Sequence, residues 1–262
     1  MKPSFVNLPK PFLVSVITDT DPAHAIATIR NSEFDGAQAY DLHLRSLERR
    51  YHNEDDLGRI IRSTHRPVML INYRGDATWK NDATDEELVQ SHLIGVRAGA
   101  SACDLMGDLF DPSPLQLTKK PEAIDRQKRL IDQVHSMGAE VIMSAHTFGA
   151  HLPTEQAVEQ LIEMQSRGAD MVKLAELVNS EDELLESIRT TVELRRNLKV
   201  PFIHICMGQY GKLHRFVGAM FGSSLIFCVQ KYQPGALMDQ PLLHAAKAVL
   251  DKLDWHVDRM VE

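Results

Sequence analysis

The chain of 262 residues predicts a (β/α)8 barrel of the TIM-barrel class, folded as a single domain over residues 1–262. Three observations carry this expectation. Eight apolar runs recur near residues 12–18, 37–44, 67–73, 102–107, 140–145, 171–175, 201–207 and 225–230, the number of strands such a barrel needs. Four times a helical pattern ends in Gly followed by Ala before an apolar run begins, at Gly36-Ala37, Gly99-Ala100, Gly138-Ala139 and Gly168-Ala169. Glycine takes the left-handed conformation cheaply just past a helix, so each pair marks a helix-to-strand turn. The first run closes on Val16-Ile17-Thr18-Asp19-Thr20 without a glycine, which disfavours the open doubly wound alternative and its Gly-rich phosphate turn.

The elements follow in order. Near-continuous apolar runs suit strands covered on both faces, beginning with 12–18. Asp21-Pro22 then sets a capping acceptor before a proline at the first helical position. The second run, 37–44, leaves the Gly36 turn, and the third closes on Asn72-Tyr73-Arg74-Gly75-Asp76. Thr84-Asp85-Glu86-Glu87 fits a capping box and opens the next helix. Asp104 and Asp108 lie near the end of the fourth run. Two carboxylates without a histidine or third acid at helpful spacing are thin support for a metal, so a supporting or loop role is the better reading and no metal site is expected. The fifth run ends Ser144-Ala145-His146, and the sixth holds Lys173 in Met171-Val172-Lys173-Leu174-Ala175. Ser180-Glu181-Asp182-Glu183 fits a second capping box. The seventh runs through His204-Ile205-Cys206-Met207, and after the eighth the loop Lys231-Tyr232-Gln233-Pro234-Gly235 is placed to cover the opening.

Composition excludes several classes. Hydrophobic residues make up 44% and charged ones 25%, which argues against disorder. A net charge of -7, with Lys and Arg nowhere concentrated, argues against a nucleic-acid partner. No apolar run is long enough for a bilayer, and Met1-Lys2-Pro3-Ser4-Phe5 lacks the pattern of a signal peptide, so no membrane partner and a cytoplasmic location are expected. Cys103, Cys206 and Cys228 are isolated on apolar runs, as reduced core thiols are. Cys206 as a nucleophile is the less favoured reading.

Barrel topology gathers the strand C-termini at one mouth, which brings Lys173 and His146 there. A lysine inside a buried strand needs a reason: burial lowers an ammonium pKa and leaves an amine able to attack a carbonyl. Imidazole is the usual group for moving a proton near neutral pH. Together they suggest Schiff-base chemistry. Each residue also has a plainer reading: Lys173 as an edge-strand lysine with its amine in water, His146 and His204 as structural histidines, Arg215 as a helix surface charge, Asp76 as a turn residue.

At this point the sequence resembles the type I 3-dehydroquinate dehydratases of the shikimate pathway of aromatic amino acid biosynthesis. Met143-Ser144-Ala145-His146-Thr147-Phe148 is similar to that family's Ser-x-His-x-Phe motif, and Val172-Lys173-Leu174-Ala175 to its Schiff-base strand. Met207-Gly208-Gln209-Tyr210-Gly211-Lys212-Leu213-His214-Arg215 resembles its Met-x3-Gly-x3-Arg segment, followed by Phe221-Gly222-Ser223 and Pro234-Gly235. The resemblance covers roughly residues 10 to 250. It implies dehydration of a small-molecule keto acid through a lysine iminium, with no cofactor. In this reading Lys173 is the nucleophile and His146 the proton-transfer group, Arg215 grips a carboxylate through a bidentate fork, and Arg74 positions a ring hydroxyl. Further expected contacts are Ser144, Met207, Gln233, Tyr40 and Gln38. A homodimer is a further expectation.

Three departures stand out. The family's second strand ends Glu-x-Arg-x-Asp, its first two side chains gripping substrate hydroxyls. The corresponding segment reads Gln38-Ala39-Tyr40-Asp41-Leu42, so that pair is missing; Tyr40, Asp41, His43 and Asn72 are candidate replacements. The glutamate that orients the catalytic histidine is represented only by Asp76, and the glutamine expected after Pro-Gly is Ala236. A polar site is tuned to its own ligand, so such losses change specificity strongly. The readings that follow are a dehydratase for 3-dehydroquinate or a related hydroxylated keto acid, a diverged Schiff-base lyase or aldolase for another small oxo-acid, and a silent metabolite-binding barrel. The last is disfavoured because it has no chemical need for both Lys173 and His146.

Overall fold

The computed structural model describes residues 2–75, 81–147, 151–232 and 239–252. Eight parallel strands, β1 (Phe12–Ile17), β2 (Ala39–His43), β3 (Val68–Ile71), β4 (Ala102–Met106), β5 (Glu140–Thr147), β6 (Met171–Leu177), β7 (Phe202–Met207) and β8 (Leu225–Cys228), fall within or next to the eight predicted runs. They pair in the order β7-β6-β5-β4-β3-β2-β1-β8. Between β7 and β8 the ladder gives way to three isolated bonds, from the Ser224 N–H to Phe202 O (2.8 Å), from the His204 N–H to the Ser223 hydroxyl (3.0 Å) and from that hydroxyl to His204 O (3.3 Å). The sheet is thus a nearly closed (β/α)8 TIM barrel.

Helices α1 (Pro22–Phe34), α2 (Glu54–Ile61), α3 (Asp85–Ala98), α4 (Pro121–Ser136), α5 (Thr154–Ser166), α6 (Glu181–Asn197), α7 (Gly211–Met220) and α8 (Leu243–Leu250) surround it. Local chemistry sets several of their ends. Asp21 accepts from the N–H groups of Ala23 and His24 ahead of Pro22, and Thr84 and Glu87 form the reciprocal capping box. The second expected box forms only by half. Ser180 accepts from the Glu183 N–H, but the Glu183 carboxylate reaches back to the Asn179 N–H instead. All four predicted glycine turns have positive φ, from 73° at Gly138 to 118° at Gly99, a conformation that other residues rarely adopt.

Strands buried on both faces separate two apolar layers. Inward side chains, among them Val14, Val16, Met69, Ile142, Met171, Ile203 and Phe227, fill the barrel, while outward ones pack beneath the helices. Phe5 and Phe12 meet edge to face at 5.3 Å, and the Glu140 carboxylate accepts the N–H groups of Phe5 and Val6. That plug shuts the N-terminal end of the barrel. The register sets Ser144 opposite Lys173 and His146 opposite Ala175, and alternation along a strand turns all four toward the interior.

Candidate active site

A cavity of about 90 Å³ opens at the C-terminal ends of the strands. Asp41 and His43 from β2, Tyr73 after β3, His146 from β5, Lys173 from β6, Met207 from β7, Arg215 from α7 and Phe227 from β8 line it. A larger cleft of about 690 Å³ at the opposite end brings together Lys2, Arg62, His65 and Arg66, and none of the predicted site residues.

Lys173 is buried, and its Nζ donates to Asp104 Oδ2 and to Tyr73 Oη, each at 3.0 Å. Asp104, on β4, is fully buried and so supplies the counter-charge that makes a buried ammonium tolerable. Its other oxygen, Oδ1, has no hydrogen-bond partner among the described residues. The ring of Phe227 flanks Nζ at 5.3 Å from its centroid, close enough for cation–π attraction, whereas Tyr73 meets Nζ through its hydroxyl. Burial, and then the Asp104 charge, push the Tyr73 phenol far above its ordinary range.

His146 is anchored by an amide. Its backbone N–H and its Nδ1–H both donate to Gln116 Oε1, at 2.8 and 3.1 Å. A carbonyl oxygen only accepts, so Nδ1 carries the proton and Nε2 the lone pair. Burial first, and then the Lys173 charge, hold the imidazole well below its ordinary pKa, so it stands neutral as a base. Gln116 sits in the left-handed region at φ 50°, a placement that costs free energy and occurs where a site needs it. A Cβ at Gly107 would lie 2.7 Å from the Gln116 carbonyl oxygen, so a residue without a side chain is required beneath this loop.

The other predicted residues divide. Arg215 and Met207 reach the mouth, and Arg215 Nη2 donates to Asp239 Oδ2 at 2.8 Å. Ser144 lies beneath the cavity, its hydroxyl 3.1 Å from Tyr73 Oη. Asp76, Gln233 and Ala236 lie outside the described residues. Three assignments need correction. Arg74 does not face the cavity: it donates to both oxygens of Asp85 at 2.6 and 2.8 Å, and to Asp108 Oδ1 and O at 2.9 and 2.7 Å, clamping α3 to the loop after β4. Tyr40 points outward among Ala25 and Ile29 of α1, its hydroxyl donating to Ile29 O at 3.2 Å. Gln38 precedes β2 at the far end of the barrel, where its Oε1 accepts the Leu13 N–H at 3.1 Å.

Those corrections move the register of the second strand. Asp41 and His43, two residues apart, are the side chains of β2 that face the mouth, and they bond to each other at 3.0 Å. An acid-x-base pair therefore occupies the place where Glu-x-Arg was expected, with each member shortened or exchanged. Asn72, the fourth candidate, is instead tied to Ser91 and Asn81 beside the site.

On the outer side of β6 and β7 lies a second polar cluster. Glu176 accepts from the Leu152 N–H, the Ser187 hydroxyl and His204 Nε2; against the cost of burial, His204 foremost and then the Leu152 N–H hold its carboxyl down to about 2. His204 is structural, in keeping with its plainer reading. Among the described residues, His204, Cys206 and His214 bring potential ligand atoms within 4.8 Å of one another. The Thr191 hydroxyl already joins His204 Nδ1 (2.8 Å) and His214 Nε2 (3.2 Å), however, and burial pushes the Cys206 thiol far above its ordinary range. The geometry favours a hydrogen-bonded core over a thiolate-bearing metal centre.

Comparison with known proteins agrees with this geometry. A profile of the type I 3-dehydroquinase family matches residues 16–254. The chain is 29% identical over 154 residues to the 3-dehydroquinate dehydratase of Aromatoleum aromaticum, covering 58% of this chain and 55% of that protein. It is 32% identical over 185 residues to the enzyme of a Geobacillus species, covering 61% and 71%. The matched stretch thus spans only about half of the first relative's length. Among solved structures, the 3-dehydroquinate dehydratase of Geobacillus kaustophilus superposes with a TM-score of 0.81 at 16% identity, covering 96% of this chain and 95% of that one. The type I 3-dehydroquinate dehydratase of Clostridium difficile, solved with covalent modified comenic acid, gives 0.77 at 19%, covering 94% and 93%. At such identities the superpositions speak for the fold, and the profile match for descent: the chain belongs to the type I 3-dehydroquinase family.

Proposed function

We propose that this protein is a Schiff-base lyase that dehydrates 3-dehydroquinate or a closely related hydroxylated keto acid. The observation that carries the reading is the buried Lys173–Asp104 pair at the barrel mouth, beside a neutral imidazole, in a member of this family. In this mechanism Lys173 Nζ attacks the ketone, and loss of water leaves an iminium. Its positive charge stays beside Asp104, the Tyr73 hydroxyl and the ring of Phe227, so the cationic intermediate inherits an environment built for the ammonium. The iminium acts as an electron sink for a carbanion at the adjacent carbon.

His146 Nε2 removes that carbon's proton and returns it to the departing β-hydroxyl, with Gln116 holding the ring in the required tautomer. Arg215, fixed by Asp239, takes the carboxylate. Asp41 and His43 bind hydroxyls on the β2 side of the ring. Their difference from Glu-x-Arg supports a second reading, in which the same lysine chemistry serves a related oxo-acid with a different hydroxyl pattern.

Absorbance of the conjugated enone product separates the two. Addition of 3-dehydroquinate to the full chain should raise it, and a flat trace from a folded protein would eliminate that substrate and leave the related acids.

A further inference from the structure

Tyr73 follows β3 and turns its side chain into the barrel, where its hydroxyl is a meeting point. It donates to Asp104 Oδ2 at 2.6 Å, accepts from Lys173 Nζ at 3.0 Å, and lies 3.1 Å from the Ser144 hydroxyl. The same ring stands 4.6 Å, centroid to centroid, from that of His146. One side chain therefore touches both the amine and the imidazole. An ammonium has no lone pair and must shed a proton before it attacks a carbonyl. Asp104 is well placed to receive that proton, since its Oδ2 meets both Tyr73 and Lys173 and its buried Oδ1 has no hydrogen-bond partner among the described residues.

Building on Lys173 as the iminium-forming residue, we propose that Tyr73 is a catalytic residue that relays the proton of Lys173 to Asp104. The Nζ–H bond breaks with its electron pair left on nitrogen. That proton joins Tyr73 Oη as the phenol's own proton passes to Asp104 Oδ2, leaving amine, phenol and carboxylic acid. Nζ then bonds to the ketone carbon, and the carbonyl oxygen leaves as water with the two protons that nitrogen has lost. Asp104 ends as a carboxylate facing the iminium, so atoms and charge balance without an outside reactant. Ionised tyrosine does not accumulate on this route, because burial and the negative charges of Asp104 and Asp41 oppose it. The two transfers are therefore coupled. Lys173 and His146 are the other titratable groups facing the hydroxyl or its ring.

Tyr73→Phe separates this relay from the direct 3.0 Å contact between Nζ and Asp104, because it keeps the ring and the carboxylate and removes only the hydroxyl. The assay mixes the full chain with saturating 3-dehydroquinate, quenches with sodium borohydride at increasing times, and measures the adduct by intact mass. The variant should form adduct more slowly by about a hundredfold or more, the scale of one proton-transfer group. Deuterium uptake from solvent at the carbon next to the iminium, counted per adduct, should stay within about twofold of wild type. An adduct rate equal to wild type overturns the relay, as does equal slowing of both steps, which would mark a merely structural role. If wild type forms no adduct with 3-dehydroquinate, related hydroxylated keto acids take its place in the same assay; no adduct with any of them overturns the lysine reading, and the relay with it. 3-Fluorotyrosine at position 73 keeps the hydroxyl but releases its proton more readily, so it should change the adduct rate and spare the exchange; an unchanged rate again overturns the proposal.

Discussion

Replacing Asp104 with Asn should destabilise the barrel out of proportion to the change in shape. Lys173 is 3% and Asp104 0% exposed, so water does little to screen them. At their 3.0 Å separation the gross attraction is roughly 5–6 kcal/mol for an effective dielectric near 20. Part of that offsets the desolvation of two ions, but removing one partner strands the other, which costs about 3–5 kcal/mol. For a chain of this size the melting temperature should fall by roughly 6–20 °C. A double-mutant cycle isolates the pair: Asp104→Asn, Lys173→Met and the double variant are unfolded in urea at pH 7. The double variant should be more stable than the sum of the single losses allows, by about 2 kcal/mol or more. A loss below about 1 kcal/mol for Asp104→Asn, or strict additivity, would refute the ion pair as the reason a lysine can occupy β6.

Three further outcomes follow from the same geometry. Gln116→Glu sets a carboxylate against the Nδ1–H of His146 and favours imidazolium, so the acid limb of the pH–rate profile should move to higher pH; an unmoved limb removes Gln116 as the orienting group. Acid should weaken the fold. His92 and His214 are held by burial at about 4 and about 3, below the unfolded value of 6.5, and Glu176 at about 2, below 4.5. In each case the unfolded chain binds the proton first as pH falls, so stability is full above about pH 6.5 and declines below it, with the Glu176 share lost from about pH 4.5 downward. Urea midpoints at pH 7, 5.5 and 4 should fall in that order, and a constant midpoint contradicts the burial of these groups. Arg74→Ala should lower the melting temperature by several degrees through loss of its clamp on Asp85 and Asp108; a large rise in KM with unchanged stability would return Arg74 to the substrate.

The parts of the site carried by strand ends were legible because topology alone puts them at one mouth: the charge inside Met171–Ala175 and the imidazole closing Val141–His146 stand out against the apolar runs that carry them. Their partners were not. Asp104 meets Lys173 across 69 residues and Tyr73 meets it across 100, and Gln116 reaches His146 from an irregular loop 30 residues upstream. No spacing encodes such contacts. The error on the second strand came from resting its register on the segment Gln38–Leu42 when the apolar run at 37–44 fixes only the strand's existence. Strict alternation would have helped: once Asp41 and His43 face inward, Tyr40 must face α1. Arg74 misled for the opposite reason, since β3 ends at Ile71 and alternation no longer governs a residue beyond it.

The most direct test of the account is reduction with borohydride in the presence of 3-dehydroquinate, followed by digestion and peptide mass. The predicted result is a single adduct on the peptide containing Lys173, absent in Lys173→Ala. An adduct on another lysine, or none with 3-dehydroquinate and related hydroxylated keto acids while they bind, would contradict the claim that Lys173 is the nucleophile.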